Sequence, residues 1–311
     1  MQINEITSAN LESCTLAIGS FDGVHSGHQG LVQGMSAAAT HLGIPSAVLT
    51  FFPHPGVVLR GWEAPSYLTS PAVRAQLLQD AGADVVITQT FDRPFSKLRA
   101  GEFLDRIREH LSPKQIWIGD DFAFGYRREG NREYLLKAQE AYGFKLIVVK
   151  PVVLDGGIVS STRIRNALQE GNVRLAARLQ ARPFTVAGNV VHGAGRGRKL
   201  GIPTANLEVW AEQLLPAIGV YAGRATIRQE TYPAVINIGV RPTFNANVPP
   251  LAVEAHLLEF EGQIYDQQLS LAFVERLRDE RRFDSVEALR TQIGRDIVRT
   301  HSILKLEGSH G

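Results

Sequence analysis

Up to about residue 180, the chain alternates short runs of apolar, often β-branched residues with segments whose apolar residues recur at helical spacing. The apolar runs are residues 16–18, 47–51, 85–88, 116–118 and 146–149. Continuous runs of this kind between helices are typical of parallel strands that helices cover on both faces. We therefore predict a doubly wound α/β domain with a parallel sheet, whose ligand crevice lies beyond the carboxyl ends of the strands.

The pattern changes at Arg182-Pro183, where closely spaced strand-like segments replace the alternation. These segments are residues 184–191, 220–227, 234–238, 251–260 and 269–273. Strands that follow one another without intervening helices indicate an antiparallel barrel or sandwich. An apolar stripe at helical spacing then predicts a C-terminal helix. We place the domain boundary accordingly, with one domain over residues 1–182 and a second over residues 183–311.

Composition narrows the class of protein. Of 311 residues, 33 are basic and 31 acidic, so the chain lacks the excess positive charge of a dedicated nucleic-acid binder. The single cysteine, Cys14, excludes an intrachain disulfide. No apolar stretch approaches the roughly 20 residues that span a bilayer. We expect a cytoplasmic protein with neither nucleic acid nor membrane as partner, and composition leaves self-association open.

A glycine-rich segment, G-S-F-D-G-V-H-S-G-H at residues 19–28, follows the first predicted strand and leads into the first predicted helix. Gly19 and Gly23 allow the backbone to approach phosphate oxygens, and a helix start adds N–H groups and a positive field. His25 and His28 can both face one phosphate and stabilise charge that develops during its transfer. The alternatives are a plain glycine-rich turn and a zinc-binding histidine pair, although no Cys or acidic residue stands at zinc-ligand spacing.

Two later segments carry groups suited to the same chemistry. The first, S-S-T-R-I-R at residues 160–165, has hydroxyls at a predicted helix start and arginines that can neutralise a pyrophosphate leaving group. An ordinary Ser/Thr N-cap is the alternative there. The second, G-D-D-F-A-F-G at residues 119–125, ends a predicted strand, where parallel sheets bind ligands. A plain turn is its alternative.

These motifs resemble the nucleotidyltransferase superfamily, and their fuller forms resemble the adenylyltransferase module of the bifunctional riboflavin kinase/FMN adenylyltransferase (FAD synthetase) family. T-F-F-P-H-P at residues 50–55 is similar to a further segment of that module. The resemblance implies a Rossmann-like fold and direct in-line adenylyl transfer from ATP to FMN, with His25 and His28 as catalytic groups at the phosphates. It implies a nucleotide-binding set of Gly19, Phe21, Gly23, His25, His28, Asp121, Ser161, Thr162 and Arg165, with Phe122 near the flavin.

A second glycine-rich stretch, V-H-G-A-G-R-G-R-K-L-G-I-P-T-A-N-L, occupies residues 191–207. Such a flexible, positive loop can wrap a polyphosphate with its backbone N–H groups. It is not a Walker loop, because no G-K-[ST] follows, and it lacks the interleaved aromatic residues of single-stranded nucleic-acid binders. Thr204 and Asn206 offer hard oxygen ligands for Mg²⁺ that is held mainly by phosphates and water.

Transfer of a phosphoryl group to an alcohol also requires a base that accepts the hydroxyl proton. Glu254 lies in an otherwise apolar predicted strand, and strand alternation puts it on the same face as His256. A lone strand glutamate is more often simply solvent-facing, so the strand pattern alone leaves its role open.

Four segments of the second half resemble riboflavin kinase and occur in that family's order. They are G-R-K-L-G-I-P-T-A-N-L, P-A-I-G-V-Y-A, N-I-G-V-R-P-T-F and E-A-H-L-L-E-F. The resemblance implies an antiparallel barrel closed by a C-terminal helix, ATP-dependent phosphorylation of riboflavin, Glu254 as general base, and Thr204 and Asn206 at Mg²⁺–ATP. It implies a nucleotide-binding set of Gly193, Gly195, Arg198, Gly201, Thr204 and Asn206, with Arg241 and Arg295 near the flavin.

The resemblance covers nearly the whole chain and predicts one enzyme that makes FMN from riboflavin and FAD from FMN. The chain departs from the family pattern at a few positions: Gly30, Ala123, Ile202, Glu259 and Asp266. None of these departures removes a proposed catalytic group. Two alternatives compete: an enzyme in which one half has lost its activity, and a flavin- or RNA-binding regulator without catalysis. A pure binder has no use for a base and metal ligands such as Glu254 and Asn206.

Overall fold

The computed structural model of the chain describes residues 1–62, 66–193, 197, 201–240 and 251–308. The chain divides into two compact units, Met1–Ser161 and Thr162–Gly311. Gly195, Arg198 and Arg241, three of the predicted binding residues, lie outside the described residues.

The first unit alternates strands and helices. Its strands are β1 (Gln2–Asn4), β2 (Cys14–Ile18), β3 (Ser46–Phe52), β4 (Val85–Thr90), β5 (Pro113–Gly119), β6 (Lys145–Val149), β7 (Val153–Leu154) and β8 (Gly157–Ile158). Its helices are α1 (Ser26–Leu42), α2 (Pro55–Arg60), α3 (Pro71–Asp80), α4 (Ala100–Leu111) and α5 (Arg132–Tyr142).

The main sheet has six parallel strands in the order β1-β4-β3-β2-β5-β6. Two apolar clusters lie on its two faces, one around Leu16 and Phe103 and the other around Ala17 and Met35. The predicted doubly wound α/β fold is therefore confirmed. Because the chain runs outward in both directions from β2, the loops after β2 and β5 meet at the point where the strand order reverses, which is where such sheets bind ligands.

The second unit contains two helices, a barrel and a long last helix. The helices are α6 (Ser161–Gln169, whose first residue closes the first unit), α7 (Val173–Gln180) and α8 (Val286–Gly308). The strands are β9 (Phe184–Val191), β10 (Ala205–Val209), β11 (Gly219–Ile227), β12 (Glu230–Val240), β13 (Leu251–Leu257) and β14 (Gln268–Arg278). They form a closed antiparallel barrel in the order β10-β13-β12-β11-β14-β9. The predicted barrel with a C-terminal helix is confirmed, and β10 is a strand that the sequence pattern missed.

Helix α8 covers one side of the barrel through an apolar cluster that includes Val220, Leu277 and Ile303. A buried ion pair fixes it further: the Arg278 guanidinium donates to the Asp296 carboxylate at 2.8–3.2 Å. Gln292 donates to the same carboxylate at 2.8 Å. On another side of the barrel, α7 packs against β9 and β14.

Among the described residues, no helix is both long and apolar enough to cross a membrane.

The Cys14 thiol is fully buried, and burial raises its pKa to about 12. A thiol with so high a pKa is a weak nucleophile, because the thiolate is the reactive form. Cys14 is thus a packing residue.

The ion pair between α8 and β14 leads to a stability prediction. Asp296→Ala leaves the largely buried Arg278 without its counter-charge, so we expect unfolding free energy to fall by about 3–5 kcal/mol. The matched control is Asp279→Ala, which removes the 81% exposed partner of Arg276 and should cost less than about 1 kcal/mol. Thermal or denaturant unfolding measures both changes, and equal losses would contradict the assignment.

Candidate functional sites

The first candidate site is the loop between β2 and α1, residues 19–25. The Gly19 N–H donates to Leu49 O of β3 at 3.1 Å, which fixes the loop at the carboxyl ends of the strands. Gly23 has a φ of 79°, and a Cβ there would lie 2.6 Å from Leu68 Cδ1. Both the backbone conformation and the lack of space therefore require glycine at this position.

The two predicted histidines meet at the end of this loop. Their rings stack with centroids 3.6 Å apart, and the edge of the Phe21 ring packs against His28 at 5.1 Å. His25 is the N-cap of α1, and its Nδ1 accepts a hydrogen bond from the His28 N–H at 3.3 Å. Both imidazoles thus lie at a helix N-terminus, whose positive field favours a bound anion.

A buried carboxylate, Asp22, holds this loop in place. It is 1% exposed and accepts hydrogen bonds from the N–H groups of Leu68 and Thr69 at 3.1 and 3.2 Å. The Gly23 N–H in turn donates to Thr69 Oγ1 at 3.2 Å. The loop is therefore tied to the segment that precedes α3, and its shape is set before any ligand binds.

A buried cation, Arg74 on α3, lies beneath the same loop. Its Nη1 donates to Ser20 O at 3.1 Å and its Nη2 to Phe51 O at 3.0 Å, so it joins the loop after β2 to the end of β3. Burial lowers the pKa of the guanidinium, and the nearby negative charge of the Asp22 carboxylate opposes that lowering. Two buried and opposite charges, Asp22 and Arg74, thus brace the loop, and the sequence prediction missed Arg74.

The segment S-S-T-R-I-R reaches this loop through one residue. The Ser161 hydroxyl donates to Asp22 O at 2.8 Å, and α6 begins at Ser161 as the hydroxyl-rich pattern predicts. Thr162 and Arg165 follow on α6 within the second unit, and their assignment to the nucleotide stays a prediction.

The loop after β5 carries the other residues predicted for this site. Asp121 is exposed, and the Phe122 ring stacks on Phe124 with centroids 5.7 Å apart. Phe122 is half-buried against the sheet core, so part of its ring remains accessible. Since β5 pairs with β2, this loop neighbours the glycine-rich loop at the sheet edge.

The second candidate site lies on the barrel surface where β10 pairs with β13. The register puts Asn206 directly opposite Glu254, and such residues share a face with Cβ atoms about 4.5–5.5 Å apart. Ala205, Leu207 and Val253 beside them are buried, so Asn206 and Glu254 point outward from the barrel. The structure therefore brings together the predicted metal ligand and the predicted base.

Gly193, near the start of the glycine-rich stretch, lies close to the Asn206 side chain. A Cβ at Gly193 would lie 2.2 Å from Asn206 Nδ2, so a larger residue there would displace this amide. Near Thr204, Gly197 O accepts a hydrogen bond from Ile202 N at 2.9 Å, and a Cβ at Gly197 would lie 3.3 Å from Thr204 Oγ1. Gly201 has a φ of 74°, a left-handed conformation that favours glycine.

The residues predicted to contact the metal and the flavin in the second unit include Thr204, Asn206 and Arg295. Within the described ranges, no group of three or more His, Cys, Asp or Glu side chains is arranged to hold a metal. Thr204 and Asn206 supply only neutral oxygen ligands, which suit a cation whose charge is met by a bound polyphosphate. Arg295 is exposed on α8, one residue before the buried Asp296.

Two family models match the chain. The one described as FAD synthetase matches residues 7–163, and the one described as riboflavin kinase matches residues 180–304. They fall on the α/β part and the barrel part of the chain, respectively.

Curated proteins named bifunctional riboflavin kinase/FMN adenylyltransferase are similar over almost the full length. The protein from Pseudomonas fluorescens is 40% identical over 93% of both chains, and that from Escherichia coli K12 is 38% identical over 94% of both. Among solved structures, one named macrolide-efflux protein from Streptococcus pneumoniae matches with a TM-score of 0.88. It is 32% identical to this chain, and the match covers 97% of this chain and 98% of that one.

Proposed function

Since the chain belongs to the bifunctional riboflavin kinase/FMN adenylyltransferase family, we propose that the two sites described above carry its two reactions. The enzyme phosphorylates riboflavin to FMN with ATP and transfers the adenylyl group of ATP to FMN. Its substrates are therefore riboflavin, FMN and ATP. What we propose beyond the family is which residues perform each step.

In adenylyl transfer, an FMN phosphate oxygen attacks the α-phosphorus of ATP, and the bond to pyrophosphate breaks as that new bond forms. His25 and His28 stabilise the negative charge on the phosphates, with the start of α1 adding its N–H groups. The stack of these two rings at the helix start is the observation that carries this assignment. Ser161, Thr162 and Arg165 hold the rest of the triphosphate, and Phe122 offers a ring for the flavin.

In phosphoryl transfer, the terminal hydroxyl of the riboflavin side chain attacks the γ-phosphorus of ATP while Glu254 accepts the hydroxyl proton. The bond from the γ-phosphorus to ADP breaks, and ADP leaves. The cross-strand pairing of Glu254 with Asn206 carries this assignment. The glycine-rich stretch wraps the phosphates with Gly193 and Gly201, together with Gly195 and Arg198, while Arg241 and Arg295 contact the flavin.

Mg²⁺ is part of this proposal. The hydroxyl of Thr204 and the amide oxygen of Asn206 are hard ligands of the kind Mg²⁺ takes alongside phosphates and water. A bound Mg²⁺ neutralises charge on the transferred phosphoryl group. The remaining work falls to side chains of the protein: Asn206 aligns the nucleotide beside the base, and Glu254 takes the proton.

We propose residues 1–182 for the adenylyltransferase activity and residues 183–311 for the kinase. The boundary precedes β9, the first barrel strand. We assign helix α6 to the adenylyltransferase domain because its start carries the proposed triphosphate-binding residues Ser161, Thr162 and Arg165. We assign α7 to the same domain, even though Arg174 of α7 forms an ion pair with Glu275 of the barrel at 2.5 Å.

The role of Glu254 predicts a loss confined to one reaction. Glu254→Gln keeps the side-chain volume and removes the base, so kcat for FMN formation should fall roughly 10²–10⁴-fold. Riboflavin binding and FAD formation from added FMN should remain. The matched control is Glu208→Gln on exposed β10 surface, which should retain full kinase activity. A kcat unchanged in Glu254→Gln would contradict the assignment.

The histidine stack predicts the converse pattern. His28→Ala removes a group that stabilises charge on the phosphates, so FAD formation should slow on the order of 10²-fold while FMN formation is unaffected. His41→Ala serves as control, because His41 lies exposed in the last turn of the same helix. Chromatographic separation of the flavins measures both rates, and undiminished FAD synthesis by His28→Ala would remove it from the site.

A further inference from the structure

The row of polar side chains on the barrel surface extends beyond Asn206 and Glu254. On its other side, Glu254 of β13 lies directly opposite Asn237 of β12. Asn206, Glu254 and Asn237 are therefore consecutive members of one cross-strand row, with Glu254 in the middle. Directly opposite residues of antiparallel strands are the closest side-chain neighbours in a sheet.

Burial shows that Asn237 faces outward like Glu254. Its neighbours along the strand, Ile236 and Ile238, are both fully buried in the barrel, whereas Asn237 is only half-buried. Alternation along β12 then puts the Asn237 amide on the outer surface. Among the described residues, none makes a hydrogen bond with the Asn237 side chain.

A glycine leaves room for the Asn237 amide. Gly239 lies two residues further along β12 and so shares its face. A Cβ there would lie 3.2 Å from Asn237 Nδ2 and 2.5 Å from Glu280 Oε1. At the other end of the row, the missing side chain of Gly193 leaves room for the Asn206 amide in the same way. Both amides that flank Glu254 are thus accommodated by a glycine.

We propose that Asn237 is a positioning residue for the kinase reaction: when substrate binds, its amide N–H donates a hydrogen bond to the Glu254 carboxylate and orients it toward the hydroxyl that it deprotonates. A carboxylate with one donor on a fixed strand loses rotational freedom, which improves alignment in the transition state. Catalytic hydrogen bonds of this kind commonly tighten only when substrate binds. The inference rests on the proposed role of Glu254 as base.

The test uses the full-length enzyme and two substitutions at position 237. Asn237→Asp preserves shape, but it replaces the N–H donor with a second negative charge beside Glu254, and it should lower kcat for FMN formation on the order of tenfold with KM for riboflavin unchanged. Asn237→Gln retains an amide donor and should recover a large part of that loss. A residue with a merely structural role would not give this split between kcat and KM, nor a rescue by a second amide.

The barrel supplies a matched control. Asn189 of β9 lies directly opposite Glu208 of β10, another outward-facing Asn–Glu pair, and both residues are exposed. Asn189→Asp makes the same chemical change at a distance from the proposed base and should leave kcat and KM unchanged. Thermal unfolding of all variants, and FAD formation from FMN, check that each protein is intact.

The outcomes separate the inference from the function on which it rests. Wild-type kcat in Asn237→Asp, together with a large loss in Glu254→Gln, would overturn the role of Asn237 and leave the base assignment standing. A kcat unchanged in Glu254→Gln would remove the base and the inference together. A loss in Asn189→Asp equal to that in Asn237→Asp would also overturn the inference.

Discussion

Backbone pairing between strands determines the barrel site, because it decides which side chains become neighbours. In the barrel, one register makes Glu254 the partner of Asn206 on one side and of Asn237 on the other. A slip of β13 by one residue would turn Glu254 into the apolar interior. The buried alternate positions, such as Val253 and Ala255, therefore hold the face that carries the proposed catalytic residues outward at the same time as they form the core.

In the α/β unit, two buried charged side chains fix the shape of the loop after β2. Unpaired charges inside a protein are costly, so Asp22 and Arg74 persist only with compensating partners. Asp22 accepts hydrogen bonds from backbone N–H groups before α3, and Arg74 donates hydrogen bonds to carbonyl oxygens of the loop after β2 and of β3. These bonds connect three segments that meet at the carboxyl edge of the sheet. The proposed phosphate-binding loop is thereby preorganised, which is what electrostatic catalysis requires.

The sequence predicted the parts of the fold whose pattern is local. Continuous apolar runs identified five of the six strands of the parallel sheet, all except the edge strand β1, and the H-x-G-H spacing identified the paired histidines. Strand β10 was missed because Ala205–Val209 is short and carries two polar residues. Arg74 was missed because an arginine in a helix is usually exposed, and only the tertiary structure shows its burial. Asn237 was missed because the register between strands that makes it a neighbour of Glu254 cannot be read from either strand alone.

The most direct test of two activities in one chain is a time course with the purified protein, riboflavin, ATP and Mg²⁺, in which riboflavin, FMN and FAD are separated by chromatography. The account predicts that FMN appears first and that FAD follows as FMN accumulates. FMN without FAD would contradict the assignment of the α/β site. Neither product, with oxidised or reduced flavin, would contradict the account as a whole.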